Sequence, residues 1–256
     1  MARPHRHPAE RLYTKIWFAE ISAAAGNATP YWFWKNIAGG DGDKTVWRRY
    51  KTGARVPERA GDFDPIVAVE AKFPGTRRIL ENPVIFVLKG MRLTRDQARA
   101  AIAEIGDPYR RIILEGGYET SSNDSERELS MEEIFQQLSL FPSLALVEVI
   151  VLMLAWADDV GNSEFWNHIC AFYRAMVPEL VRCGHIPFHE ELLELVDGFA
   201  QMRDYGSVTL RTDIHQSWRD LEPKHFVNQD RVRLEMLEYW HTITDDPTAH
   251  RTKNLR

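Results

Sequence analysis

One short stretch of the sequence, residues 42–59, concentrates side chains that bind anions and hydrogen-bond acceptors. Arginine and lysine pair with phosphate oxygens, and arginine also matches the acceptor edge of guanine. A threonine hydroxyl contacts either kind of group. The side chains of this type in the stretch are Lys44, Thr45, Arg48, Arg49, Lys51, Arg55 and Arg59. Their clustering predicts a binding surface for a polyanion.

A short helix is the element that must position these side chains. Asp43 is a typical N-cap and Gly53 is a typical helix stop, so the pattern predicts a helix between them. Val46, Trp47 and Tyr50 then form an apolar stripe, and the basic residues occupy the remaining surface. We expect the stripe to dock on the protein and the basic face to point outward, where it would fit a groove of DNA.

The end of this helix resembles a known family. Residues 47–57 read Trp-Arg-Arg-Tyr-Lys-Thr-Gly-Ala-Arg-Val-Pro. They resemble the recognition-helix exit of Cro/CI-type (XRE-like) helix-turn-helix proteins, in which an apolar residue, two variable residues, an aromatic residue, a polar pair, Gly and then Pro recur. The resemblance implies a first helix at residues 13–26, a scaffold helix at 29–39 and a locking helix at 64–73. It covers under a quarter of the chain.

On the resulting hypothesis, the recognition helix contacts double-stranded DNA. The side chains expected closest to the bases are Lys44, Thr45, Arg48 and Arg49. Those expected nearer the phosphates are Lys51, Arg55 and Arg59. A homodimer with two-fold symmetry is expected if the protein reads two half-sites.

The chain departs from the family pattern at three places. Lys51 stands where an acidic residue is usual, and Trp34 stands at or near the position of a small residue in the scaffold helix. The turn at residues 39–43 is longer than the motif normally shows. The bulky aromatic residues of the scaffold helix predict that it and the recognition helix are pushed apart or rearranged.

Charge is distributed unevenly along the chain. The whole sequence has a net charge of −5, which excludes a polycationic nucleic-acid coat. Residues 1–90, however, hold 15 Lys/Arg and 9 Asp/Glu, whereas residues 91–256 hold 17 and 28. A basic part joined to an acidic part can bind an anion locally. We therefore predict a basic helix-turn-helix-like module at 1–90, a helix and polar linker at 91–129, and an acidic helical domain at 130–256.

Helix signals dominate the sequence. Capping-box patterns at residues 94–97 and 130–133 each predict the start of a helix. Residues 83–88 are typical of a β-strand or, equally, of a buried helical turn. The further predicted helices lie at residues 143–161, from residue 163 onward, at 188–203 and at 229–242. The predicted fold is mainly α, with a helix-turn-helix-like N-terminal module and a larger C-terminal helical bundle.

Two observations bear on location. The longest apolar run, residues 144–157, contains Glu148 and is shorter than the roughly 18–20 residues that a membrane span needs. We interpret it as a buried helix and expect no membrane partner. The chain has two cysteines, which suits a reducing cytosol, so we expect a cytoplasmic protein.

Evidence for an enzyme is weak. Asp158 and Asp159 are a carboxylate pair of the kind that holds Mg²⁺, but no second carboxylate motif accompanies them. His168 and Cys170 are two residues apart on a predicted helix and so point to different faces, which argues against a zinc site with Cys183. The sequence contains no phosphate loop, dinucleotide-binding turn or Gly-x-Ser-x-Gly motif. We therefore predict neither an enzyme, a bound metal nor a cofactor.

Two functions lead, and a metal-dependent enzyme centred on Asp158 and Asp159 is held in reserve as a third. The first is a DNA-binding protein, a transcriptional regulator whose acidic helical domain dimerises or binds a protein partner. The second is a helical interaction or scaffold protein that does not bind DNA, which the aromatic residues of the scaffold helix favour. In the second case the basic helix contacts an acidic protein surface or packs internally.

Overall fold

The computed structural model of the protein describes residues 6–115, 130–183, 186 and 188–202. The predicted helix at residues 229–242 and the polar part of the predicted linker, residues 116–129, lie outside this part of the chain. Within it the mainly α fold is confirmed. The α-helices are α1 (Pro8–Ala24), α2 (Pro30–Asn36), α3 (Thr45–Lys51), α4 (Pro65–Lys72), α5 (Arg77–Leu80), α6 (Pro83–Leu88), α7 (Arg95–Ile105), α8 (Met131–Leu138), α9 (Leu144–Asp159), α10 (Ser163–Arg182) and α11 (His189–Met202). A π-helical turn, Arg111–Glu115, follows α7.

Side-chain caps define where most of these helices begin. Both predicted capping boxes are present: the Thr94 hydroxyl accepts from the Gln97 N–H at the start of α7, and Ser130 accepts from Glu133 at the start of α8. Ser143 caps α9 through the Leu146 N–H at 3.2 Å. Each bond satisfies a backbone donor that has no partner inside its helix.

The apolar run at residues 83–88 is helical. Asn82 caps it by accepting the Val84 N–H at 2.9 Å, and Pro83 occupies the first helical position, where a missing N–H costs nothing. Four of its six residues are buried. An apolar run of this kind fits the side-chain pattern of a strand as well as that of a helix. The helical alternative is therefore confirmed for this segment.

The larger hydrophobic core is built around α9. This helix is buried along almost its whole length, and α7 and α10 pack against it most extensively. Side chains from α1, α6, α8 and α11 complete the same cluster. The buried helix predicted at residues 144–157 is confirmed. No helix in the described part of the chain combines the length and apolarity that crossing a bilayer requires.

A second, smaller core is strongly aromatic and joins α1, α2, α3 and α4. Its fully buried members are Trp17, Phe18, Ile21, Phe33, Trp47, Tyr50 and Val69. The ring of Phe33 in α2 stacks on that of Trp47 in α3, with centroids 5.3 Å apart and planes inclined by 22°. Ring pairs of this kind add specific geometry to the apolar area that they bury. The two helices therefore have one fixed relative orientation.

The first helix belongs to both cores. Leu12, Tyr13 and Ile16 of α1 lie in the larger cluster, whereas Trp17 and Ile21 lie in the aromatic one. The α1 helix also contacts α3, α5, α6 and α11. It therefore connects the elements on the two sides of residue 90, and the predicted domain boundaries stay a prediction.

Candidate nucleic-acid interface

The start of α3 is held by Asp43. Its carboxylate accepts two hydrogen bonds from Thr45, one from the backbone N–H and one from the hydroxyl, each at 2.8 Å. These bonds lower the pKa of Asp43, because they favour its ionised form. The helix begins at Thr45, so Asp43 supplies the predicted cap from one residue outside the N-cap position. The first turn of α3 is thereby fixed.

The inner face of α3 is anchored by its two aromatic residues. Trp47 and Tyr50 are each 2% exposed, and their rings contact each other edge to face with centroids 5.5 Å apart. Tyr50 also meets Trp17 of α1 in the same way at 6.0 Å. As predicted, α3 therefore docks through an aromatic face and turns its basic face outward.

The exit of α3 passes very close to α1. Gly53 has φ +65°, a left-handed conformation that glycine adopts without strain, and its N–H donates to Tyr50 O at 3.0 Å. The Nε of Arg11 donates to Gly53 O at 3.3 Å. The predicted helix stop is thus confirmed, and it is also the point where the third helix rests on the first.

The outer face of α3 lines a cleft of about 540 Å³ that opens to solvent against the beginning of α2. Its walls are formed by Pro30, Tyr31, Lys44, Thr45, Arg48, Lys51 and Thr52. Lys44 and Thr52 are the two caps of α3, and together with Thr45, Arg48 and Lys51 they recur at helical spacing and therefore share one stripe of the surface. We call these five residues the α3 stripe. Opposite them, Tyr31 is 60% exposed.

The structure brings together only part of the predicted DNA-binding set. Lys44, Thr45, Arg48 and Lys51 lie in the α3 stripe. The others are placed elsewhere. Arg49 and Arg55 lie on the side of Asp43, where their positive charges help to lower the pKa of its carboxyl. Arg59 lies in the following loop and donates from Nε to Gly61 O at 3.1 Å.

Three residues of the cleft were not predicted from the sequence. Thr52 follows Arg48 by four residues. Helical spacing continued past the end of the helix could therefore have predicted its place in the cleft. Pro30 and Tyr31 come from α2, whose aromatic run predicted a scaffold packed inside the protein. No pattern in the sequence indicates which of its four adjacent rings faces outward.

The three cations of the α3 stripe, Lys44, Arg48 and Lys51, have no ion-pair partner among the residues that the structure describes. Lys15 and Lys89 are paired, with Glu191 and Glu10 at 2.6 Å in each case, whereas Arg49 and Arg55 beside the stripe likewise have no ion-pair partner in the described ranges. Because like charges in one cleft repel each other, such a group is most stable when an anion enters it. The cleft is therefore suited to an anionic partner.

The bulky residues of α2 pack to different depths. Phe33 is fully buried in the aromatic core, whereas Trp34 is half-buried against the same core and donates from Nε1 to Asp41 O at 3.1 Å. A β-carbon on Gly40 would lie 3.9 Å from the same indole ring. The long turn at residues 39–43 therefore folds over Trp34, and Phe33 provides the contact with α3.

Compared with protein-family models, curated proteins and solved structures, the chain matches none of them.

The carboxylate pair at the end of α9 has structural contacts. The Asp159 carboxylate accepts the backbone N–H of Arg95 at 2.7 Å, at the beginning of α7, and Asp158 lies 3.8 Å from Arg92. Asp159 therefore ties the end of α9 to the start of α7. Within the described ranges, no three metal-binding side chains converge on one point.

Proposed function

We propose that this protein binds double-stranded DNA through the α3 stripe and acts in the cytoplasm as a transcriptional regulator. The observation that carries this proposal is the cleft lined by Lys44, Arg48 and Lys51, whose positive charges have no partner in the described part of the chain. An extended phosphate backbone supplies the negative charge that such a stripe lacks.

The dimensions of the exposed surface fit this partner. An α-helix with its side chains is about 10–12 Å across, which matches the roughly 12 Å width of the DNA major groove, and α3, with seven residues, is about 10 Å long. Its aromatic face is locked against α1 and α2, so the stripe is presented in one orientation before DNA arrives. A preorganised surface loses less conformational entropy on binding.

The position of each residue in the stripe suggests its role. Arg48 lies at the centre, where its guanidinium would reach a guanine edge. Lys51 and Lys44 lie towards the two ends, where they would contact phosphates on either side. Thr45 already donates its hydroxyl to Asp43, so it is oriented before binding. Arg49 and Arg55 flank the stripe and would contact phosphates beyond it.

A single seven-residue helix contacts few base pairs, so we further propose that the protein acts as a homodimer. Two copies of α3 would then read two half-sites about one helical turn of DNA apart. The helices around α9 form the larger core and would provide the dimer or partner contact. This arrangement would join the basic N-terminal elements to an acidic helical part.

Binding to a fluorescent random duplex over a salt series tests the proposal. The test variant is R48A/K51A, and the matched control is R110A/R111A, which removes the same charge from side chains that pair with Asp107. We expect the test variant to lose about tenfold or more in affinity and to show a shallower salt slope. The control should bind like the natural protein.

Two results would contradict this function. Equal losses in both variants would mean that only overall charge matters. Absence of binding even at low salt would contradict the DNA-binding function and leave the helical interaction or scaffold function to be tested. Capture of a partner lost in R48A/K51A and kept in R110A/R111A would then establish that second function.

A further inference from the structure

Tyr31 has the largest exposed fraction, 60%, among the large hydrophobic side chains of the described ranges. It lies on the α2 wall of the cleft, across from the α3 stripe. The paired bases of a duplex are stacked on one another and present their edges, not their faces, to a protein. DNA binding by the α3 stripe therefore gives no reason for an aromatic ring on the opposite wall.

The position of the Tyr31 ring is defined by its own helix. The ring contacts that of Trp34, with centroids 5.5 Å apart and planes inclined by 40°. Pro30 begins α2, and the Thr29 hydroxyl caps the helix by accepting the Trp32 N–H at 3.3 Å. The ring is therefore held at the cleft before a ligand arrives, which lowers the entropic cost of binding.

No cation covers the ring of Tyr31 within the described ranges. On the same helix, by contrast, the Nζ of Lys72 lies 5.0 Å from the ring centroid of Trp32. Arg48 lines the same cleft as Tyr31 but makes no such contact with it. The cations of the cleft are thus left for the charged part of a ligand, and the ring is left for a planar, uncharged part.

The two threonines of the α3 stripe are hydrogen-bond acceptors for a ligand. The Thr45 hydroxyl donates to the Asp43 carboxylate at 2.8 Å, and the Thr52 hydroxyl donates to Arg49 O at 3.2 Å. A hydroxyl has one hydrogen, so each threonine oxygen can only accept a further hydrogen bond. The hydroxyl groups of a sugar are donors that suit these oxygens.

We propose that the cleft binds a nucleoside diphosphate, with its base stacked on Tyr31 and its phosphates at Lys44, Arg48 and Lys51. The cleft volume of about 540 Å³ falls within the roughly 300–1,000 Å³ that is typical of small-molecule sites. Every base has a π-face, so the ring accepts any of them. Because the nucleotide and DNA would use the same cations, the nucleotide would displace DNA. Only this last consequence rests on the proposed DNA-binding function.

Isothermal titration calorimetry with ADP, pyrophosphate and adenosine tests the site without DNA. Pyrophosphate keeps the charge and lacks the base, whereas adenosine keeps the base and lacks the charge. We expect ADP to bind at least about fivefold more tightly than either of them. Equal affinities for ADP and pyrophosphate would reduce the site to simple anion binding and overturn the proposal. Absence of ADP binding at millimolar concentration would overturn it as well.

The aromatic wall is tested with Y31A, which removes the ring. The matched control is V67A, which shortens another exposed apolar side chain, on α4, that is 55% exposed. We expect Y31A to lose the preference for ADP over pyrophosphate and V67A to keep it. A preference that Y31A retains in full would show that the base does not stack on this ring.

The cationic wall is tested with R48A/K51A, for which R110A/R111A is again the matched control. We expect R48A/K51A to bind ADP about tenfold or more weakly and the control to bind it like the natural protein. Equal losses in the two variants would overturn the assignment of the phosphates to the α3 stripe.

The connection to DNA is tested separately by competition. If the natural protein binds a random duplex, ADP should release the duplex, whereas adenosine at the same concentration should not. ADP that binds without releasing the duplex would overturn the shared use of the α3 stripe. Failure to bind any duplex would contradict the proposed function, whereas the titrations would still decide whether the nucleotide site exists.

Discussion

A β-carbon built on Gly53 would lie only 2.6 Å from the backbone oxygen of Arg11 and 3.2 Å from the Cε atom of Lys15. The exit of α3 therefore approaches α1 as closely as a residue without a side chain permits. This contact sets the distance between the C-terminal end of α3 and α1.

We expect G53A to be strongly destabilised, because it combines a left-handed backbone with a backbone collision. G61A is the matched control, since Gly61 has φ +62° and no neighbour within 4 Å of the added carbon. Strain alone should cost G61A about 1 kcal/mol in unfolding free energy, and G53A should lose at least about twice as much. Urea denaturation measures both, and equal losses would show that the approach to α1 is not tight.

The stacked rings of α2 and α3 lead to a second prediction. F33A removes a fully buried ring that packs on Trp47, and it should lower the free energy of unfolding by about 3–5 kcal/mol. Y31A changes the exposed ring of the same helix and should cost less than about 0.5 kcal/mol. Chemical denaturation of both variants checks this contrast. A similar loss in each would mean that α2 is not oriented as described.

The carboxylate at the end of α9 gives a third prediction. D159N weakens the bond that the Arg95 N–H donates, so stability should fall by about 1 kcal/mol. If this residue is structural, Mg²⁺ should leave the melting temperature of the natural protein unchanged. Stabilisation by Mg²⁺ that disappears in D159N would instead support a metal-dependent activity.

The pH dependence of stability follows from Glu148. Burial raises the pKa of this carboxyl from its ordinary value of 4.5 to about 7, so the folded protein retains a proton that the unfolded chain releases. The contribution of this group is full below about pH 4.5 and is lost as the pH rises to about 7. The loss amounts to at most about 3 kcal/mol. Urea unfolding at pH 5 and pH 8 should show this loss in the natural protein but not in E148Q, and an equal loss in both would exclude Glu148 as the source.

Local features were predictable from the sequence. Thr94, Ser130 and Ser143 start helices because each cap acts on a backbone donor only three residues away. The aromatic stripe and the glycine stop of α3 were equally predictable, since both depend on spacing within one turn. The run at residues 83–88 was ambiguous because six consecutive apolar residues fit a buried strand as well as a helix.

Features that depend on distant contacts were not predictable. Arg48 and Arg49 are adjacent in sequence, but a step of one residue rotates a side chain by about 100° around a helix, and only Arg48 lines the cleft. Tyr13 and Glu148 are 135 residues apart, and no local pattern pairs them. The outward position of Tyr31 likewise depends on which neighbouring ring packs against Trp47.

The most direct measurement compares the DNA affinity of R48A with that of R49A across a salt series. Both variants lose one arginine from the same helix, but only Arg48 faces the cleft. If the α3 stripe binds DNA, the natural protein binds a random duplex with a steep salt dependence, and R48A loses several-fold more affinity than R49A. Equal affinities for R48A and the natural protein, or no binding at low salt, would contradict a DNA-binding role for α3.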